Sequence, residues 1–469
     1  MSDILLLLPF LALIVINILP RGARPGAWIV CLAMFALQTV GACVQPFVTL
    51  DWSALQPLEK ALGFTLVVDP LSIMLFITAG IAGMAALLVG RATHDQKRAQ
   101  FTFANLLLVS LIGMNGIAMV RDLFSLFVFI EVTSVSAFIL VALRDGKEAY
   151  EGAWKYLLLS AVATVLMLTS IALFLLGAGG ISFAEMGAAM AGGTPMAWIA
   201  ATLFLSGLFV KSAMIPFHGW LADAYAEAPP AVSVYLAGIV TKATGIFALM
   251  RLSPLLLEAG PMREILLVTG AATAVGGAFL SLTQSDIKRM LAYSSVSQMG
   301  YIVMALGGDA KLALAAAALH FFNHTVSKAQ LFANAAAVET RLGTRDMDRM
   351  GGIAARMPVT AGTSAVAALS IAGLPPLAGF WSKLLIVIAL WTAGQYTFAV
   401  IAILTSLVTL AYFLSLQRRV FFGTLRAEWD AVREAGPALL VPTLALAFIT
   451  VAVGLGFPAL LPILLGGGA

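Results

Sequence analysis

Phe209-Val-Lys-Ser-Ala-Met-Ile-Pro216-Phe-His218 sets Lys211 five residues ahead of a helix-breaking proline, inside an otherwise apolar run. Leu374-Pro-Pro-Leu-Ala-Gly-Phe-Trp-Ser-Lys383 does the reverse, with Pro375, Pro376 and Gly379 ahead of the lysine. A proline within a membrane helix frees backbone carbonyls, which are tolerated at depth only when buried in protein or facing water. Two such interruptions, each beside a lysine, point to paired repeats with ion sites at the breaks. Ordinary helix kinks are the plainer reading, and the lysine at both breaks argues against it.

The rest of the chain supplies the membrane. Of 469 residues, 61% are hydrophobic and 11% charged, with a mean hydropathy of +1.00. Soluble domains carry about 25% charged residues, so the fold class is an all-α integral membrane protein with little mass outside the bilayer. About fourteen apolar segments are long enough to cross a core about 30 Å thick. They lie at 4–19, 27–50, 66–90, 101–120, 123–143, 154–178, 196–217, 230–251, 264–283, 290–307, 312–338, 358–390, 395–417 and 437–464. The apolar start lacks a basic lead and a small-residue cleavage site, so it is read as a first helix.

Basic residues alternate loop by loop. Eighteen fall on one side, in clusters such as Arg144, Lys147, Lys155 and Arg341, Arg345, Arg349, Arg356. Five fall on the other: Lys60, Arg121, Arg251, Arg263 and Lys311. The positive-inside rule then places both termini outside. The net charge of +4 is thus a matter of sidedness, and nucleic acid is not expected as a partner. The two broken segments stand five helices apart. This organises the chain as three N-terminal helices (1–100), a first five-helix repeat (101–252), a second (263–417) and a last helix (437–464). An odd repeat length makes the second copy inverted.

Five ionisable groups stand inside these spans: Glu131, Lys211, Lys242, Lys328 and Lys383. Each costs at least about 3 kcal/mol at mid-depth and persists facing a partner or a wet cavity. Glu131 is expected to pair with Lys211, and loss or gain of that partner makes a proton-loading switch. A static ion pair is the alternative. His320, His324 and Lys328, spaced by four, line one helix face, where titratable groups can relay protons through water. A metal site is the rival use of two such histidines, but no third ligand in that segment completes a set. Lys242 lies among small residues that permit close helix approach and extends the line between the halves, and Lys383 ends it. His218, near Trp220 and Asp223, is a candidate for proton intake or an interfacial residue. Asp69-Pro70 reads as a helix cap. Cys31 and Cys43 form no disulfide framework, and no dinucleotide fingerprint or nucleotide loop is present, so no cofactor and no metal are expected.

Several stretches together resemble one family. They are Asp122-Leu-Phe-Ser-Leu-Phe-Val-Phe-Ile-Glu131, Lys211-Ser-Ala-Met-Ile-Pro-Phe-His-Gly-Trp-Leu-Ala-Asp-Ala224, Ala228-Pro-Pro-Ala-Val-Ser233, Asp286-Ile-Lys-Arg-Met-Leu-Ala-Tyr-Ser-Ser-Val-Ser-Gln-Met-Gly-Tyr301 and Gly373 to Lys383. Across about residues 65–420 the chain resembles the antiporter-like subunits of Mrp-type cation/proton antiporters, complex I and energy-converting hydrogenases. The resemblance implies fourteen helices with inverted five-helix repeats. It also implies Glu131 and Lys211 as a charge pair, Lys242 as a bridge, His324 and Lys328 on a central helix, and Lys383 as a terminal titratable residue. Lysine at 383, where some complex I subunits carry glutamate, favours an Mrp-type D subunit or a hydrogenase-type homologue. Implied with it are a bacterial inner-membrane location, other membrane subunits as partners, and protons with or without Na+ as the transported ions. A complex I-like or hydrogenase subunit, a solute transporter, an inorganic-carbon uptake subunit and a non-transporting structural subunit are the competing readings.

Overall fold

A computed structural model of the chain describes residues 2–18, 20, 26–45, 66–93, 97–257 and 261–464. Arg21, Arg24 and Lys60 of the sidedness argument, and the end of the segment at 27–50, lie outside the described residues. Among the described residues the fold is entirely helical, with isolated β-bridges and no strand.

Three helices open it: α1 (Ser2–Ile18), α2 (Ala27–Val44) and α3 (Pro70–Thr93). Next come α4 (Lys97–Met119), α5 (Leu123–Val141) and α6 (Lys147–Ala178). The short helix α7 (Phe183–Ala191) has no counterpart among the apolar segments. It starts on a reciprocal capping box, in which Ser182 accepts from the Glu185 backbone and Glu185 from that of Ser182. Then α8 (Pro195–Lys211) stops at the lysine itself, and α9 (Gly219–Glu227) resumes after a turn holding Pro216. The rod α10 runs Pro230–Leu256, and its middle, Leu236–Val240 and Lys242–Phe247, is wound as π-helix. The second half comprises α11 (Met262–Leu282), α12 (Ile287–Leu306) and α13 (Ala310–Leu342). The segment at 358–390 divides at Pro375-Pro376 into α14 (Pro358–Ala372) and α15 (Ala378–Thr392). The last two are α16 (Tyr396–Val420) and α17 (Pro437–Leu464).

Nine of the described helices are long and apolar enough to cross a membrane. Burial sorts them. From Ala231 to Met250 every residue of the mainly apolar rod α10 is buried, as a helix hydrophobic on nearly all sides must be. On α6 and α16, by contrast, Val162, Val165, Leu176, Ile403, Leu404 and Leu407 face outward, where lipid tails can cover them. Helices α11 and α12 approach backbone to backbone: a Cβ on Gly277 would sit 2.5 Å from the Ser297 nitrogen. Small residues allow this approach, which is the packing that holds helices together where no hydrophobic force separates protein from solvent.

One construction occurs twice. Asp122 caps α5 by accepting from the Ser125 nitrogen at 2.7 Å, and its backbone bridges antiparallel to Ser182. Asp286 caps α12 by accepting from the Lys288 and Arg289 nitrogens, and its backbone bridges to Asp346. Both partners recur at one offset, 286 minus 122 and 346 minus 182 both being 164.

Candidate functional site: a buried line of charge

The first cluster is built by α5, α6 and α8. Because α8 ends at Lys211, its side chain reaches across to α5. There its Nζ lies 2.8 Å from a Glu131 oxygen, with the lysine buried and Glu131 24% exposed. The ammonium also donates to Ser134 Oγ at 3.0 Å and Ser160 Oγ at 2.6 Å. Thr164 donates to Glu131 at 2.9 Å. The pair is therefore fully ligated: three oxygens for three ammonium protons, and a hydroxyl on the acid. Composition gave no sign of the three hydroxyls. Their spacing did carry one, since Ser134 lies one turn beyond Glu131 and Ser160 and Thr164 are one turn apart.

Lys242 follows on α10, buried in the π-wound stretch. Its Nζ donates to the carbonyls of Ala237 and, at 2.7 Å, Gly238, both on its own helix. The rod presses on the first break: a Cβ on Gly245 would meet Ser212 Oγ at 2.0 Å. On its other side Gly238 faces Ala329 of α13, and Phe247 meets Phe321 edge-on at 6.3 Å. Small residues thus bring Lys242 between the Lys211 cluster and the ladder of α13.

That ladder is as spaced in sequence. The rings of His320 and His324 are parallel, with centroids 6.3 Å apart, and both are buried. His320 Nδ1 bonds Ser382 Oγ at 2.9 Å. Among the described residues, neither ring nitrogen of His324 has a hydrogen-bond partner. Lys328 donates to the Leu291 carbonyl at 2.9 Å and to Ser294 Oγ, both on α12. Lys383, on α15, donates to Ser406 Oγ at 3.0 Å, which in turn donates to the Ala372 carbonyl freed at the second break. Its ammonium also lies 4.6 Å above the Tyr301 ring, a cation–π contact that offsets part of the cost of burial. His324 is within electrostatic reach of Lys242, Lys328, His320 and Lys383. The structure thus gathers Lys242, His320, Lys328 and Lys383 around His324, and it pairs Glu131 with Lys211 in a cluster whose break the rod α10 packs against.

His218 stands apart from it, half-buried at the start of α9 and 6.2 Å from the Tyr293 ring. Asp69 does cap α3, accepting from the Ser72 nitrogen at 2.9 Å, but it does more than cap. It pairs with Arg121 at 3.0 Å and with Arg251, two residues that the basic-residue pattern placed in loops. One carboxylate thus ties the start of α3 to the end of the rod α10. Lys288, also counted as a loop residue, is buried at the first turn of α12. Among the described residues, no group of three or more His, Cys, Asp or Glu is placed to hold a metal ion.

Comparison with known proteins fits this geometry. Residues 120–409 match the NADH:quinone oxidoreductase/Mrp antiporter transmembrane family. The chain belongs to this family. Among its relatives is NADH-quinone oxidoreductase subunit N of Desulforudis audaxviator, 34% identical over 84% of this chain and 82% of the relative. Another is the D subunit of a Na(+)/H(+) antiporter of Alkalihalophilus pseudofirmus, 30% identical over 84% of this chain and 81% of the relative. A chain of the Mrp complex from Dietzia sp. DQ12-45-1b superimposes with a TM-score of 0.87 at 25% identity, over 99% of this chain and 96% of that one. A family member of this kind is a multi-pass membrane protein of antiporter-like subunit type.

Proposed function

We propose that this family member carries protons across a bacterial inner membrane as the D-type subunit of an Mrp-like Na+/H+ antiporter, alongside other membrane subunits. The reading is supported by the Glu131–Lys211 pair on one side of the rod α10 together with Lys242, His320, His324, Lys328 and Lys383, which gather around His324. Six of these side chains, all but Glu131, are buried. Such a set of buried ionisable groups is a costly arrangement for packing alone, because apolar side chains of similar volume would serve stability as well or better. In mechanism, the Glu131 carboxylate holds the Lys211 ammonium. A proton arriving at Glu131 removes that anion and leaves the lysine free to give its own proton inward. Lys242 then takes a charge that repels the next group, and the ladder passes it to Lys383. His218 is the proposed intake to the first half.

The architecture proposed with this function has fourteen crossings, counting α8 with α9 and α14 with α15 as one broken crossing each. The twin caps at Asp122 and Asp286 support the repeats 101–252 and 263–417. Five crossings separate them, an odd number, so the second copy is inverted. Both termini then face outside, in keeping with the basic-residue asymmetry. A second reading, as a subunit of a complex I-like or hydrogenase-type pump, is favoured by the 34% identity to a subunit N. The deciding experiment is purification of the native complex with identification of its subunits, followed by reconstitution into vesicles. Na+-driven proton movement without redox substrate supports the antiporter. Proton movement only with an electron donor and a quinone or other acceptor overturns it in favour of the second reading.

A further inference from the structure

The second half of the line has an acid of its own. Glu339 lies on α13 eleven residues beyond Lys328, which is about three turns and therefore the same helix face, roughly 16 Å along the axis. Its Oε2 is buried with no hydrogen-bond partner among the described residues, although the residue as a whole is only partly buried. It acts electrostatically on Lys288 of α12, which is 1% exposed and whose ammonium donates to the Ala228 carbonyl at 2.7 Å. Lys288 stands one turn before Leu291. The Leu291 carbonyl accepts from Lys328, from Ser295 Oγ and from Ser294 Oγ, so Lys288 and Lys328 share one seam between α12 and α13.

Near the Lys288 end of this seam is a cleft of about 350 Å³ lined by Arg144, Asp145, Glu148, Glu227 and Arg345, the last of which pairs with Asp286, two residues before Lys288. Arg144 and Arg345 both act on Lys288, and Arg345 also acts on Glu339 and pairs with Glu227 and Asp286. A half-buried carboxyl, a buried lysine and the central lysine of the ladder thus stand on one helix pair, and Arg345 links its end to the polar cleft. Buried carboxyl oxygens are seldom left unpaired without a function.

We infer that Glu339 and Lys288 form a proton intake for the second half, drawing from this cleft and delivering to Lys328. A proton from cleft water neutralises the Glu339 carboxylate. The Lys288 ammonium gives its proton along the Leu291–Ser294 seam to the Lys328 amine, and the proton on Glu339 then reloads the Lys288 amine and restores the carboxylate. The inference rests on the reading of Lys328 as a proton carrier. The alternative is that Lys288 merely anchors the carbonyl end of α9, where a cation is favourable.

The test uses the whole purified complex in vesicles, with equal amounts of assembled complex for each variant. E339Q keeps the shape and removes the charge, and K288Q keeps an amide donor for the Ala228 carbonyl. Each is expected to slow proton movement at least tenfold, and E339D to restore much of it. A purely structural role predicts that K288Q behaves like the parent. Should E339Q fail to assemble, E339D and K288Q still decide the matter. Parental rates in both K288Q and E339Q, with K328A inactive, overturn the intake alone. Parental rates in K328A itself overturn the underlying reading of the line.

Discussion

Glu131→Gln is the sharpest perturbation of the proposed mechanism. Two unit charges 2.8 Å apart attract by about 6 kcal/mol at an effective dielectric near 20. Glu131 keeps 24% of its side-chain surface exposed, and screening there reduces the loss to about 3 kcal/mol. Glutamine still accepts from Thr164 and still offers an oxygen to the lysine, so the packing is kept and only the charge goes. If transport passes through the state in which Lys211 is charged beside its anion, that energy enters the barrier, and about 3 kcal/mol is roughly 150-fold in rate. Lys211→Met should be at least as severe. The informative comparison is the double variant Glu131→Leu with Lys211→Met. A static lock is replaceable by apolar residues with little loss, or with a gain in stability. A switch is not, so the double variant should assemble, resist heat as well as the parent and remain inactive. The assay is proton movement in vesicles, normalised to assembled complex. Parental activity in the apolar double variant would show the pair to be structural and refute the mechanism at its centre.

Further expectations concern the ladder, the sidedness and the outer ion cluster. Lys328→Ala should nearly abolish transport while the complex assembles. His324→Ala should cost more than His320→Ala, because His320 ends the ladder and is already tied to Ser382; vesicle assays of the three variants test this order. A cysteine replacing the exposed Gly192, or a reporter fused after Ala469, should be labelled from outside, and labelling only from the cytoplasm would overturn the fourteen-crossing topology. Asp69→Asn leaves the guanidiniums of Arg251 and Arg121 without their shared anion. Since Asp69 is 32% exposed, the expected loss is about 2–3 kcal/mol, below that of a fully buried pair. It is measured by thermal denaturation of the purified complex, where an unchanged midpoint would show the cluster to be idle.

Much of this was legible in the chain because membrane solvent leaves few options. Apolar run length located the helices, and proline located both breaks to within a few residues. The spacing of four in His320, His324 and Lys328 gave a shared face because helix geometry allows nothing else. The pairing of Glu131 with Lys211 followed from the cost of leaving either alone. What failed to show is equally physical. Lys288 and Arg251 stand near the ends of apolar runs, where a basic residue is normally an interfacial anchor, and only tertiary packing buries them. Hydroxyl ligands such as Ser160 and Ser406 are cheap to place in a membrane helix and so leave no mark in hydropathy. The π winding of α10 has no compositional signature at all, and neither has the capped helix α7, too short to register as an apolar segment.

That winding gives α10 a main-chain register that a helix of uniform α turns lacks. A π turn converts to an α turn by a one-residue shift in its hydrogen bonds, which rotates one limb of the rod against the other by about 100° and moves it about 1.5 Å. The limb beyond residue 247 is moored, since Arg251 is bound to Asp69, Ser72 and the Ala118 carbonyl. Rewinding the turn at Leu236–Val240 therefore moves only the Pro230 limb, whereas rewinding Lys242–Phe247 carries Lys242 itself around the axis. The other three lysines of the line are tethered to hydroxyls on neighbouring helices, and moving them means breaking contacts between helices. Lys242 rests on carbonyls of its own helix, so a shift of that winding would move its ammonium without breaking a tether to another helix.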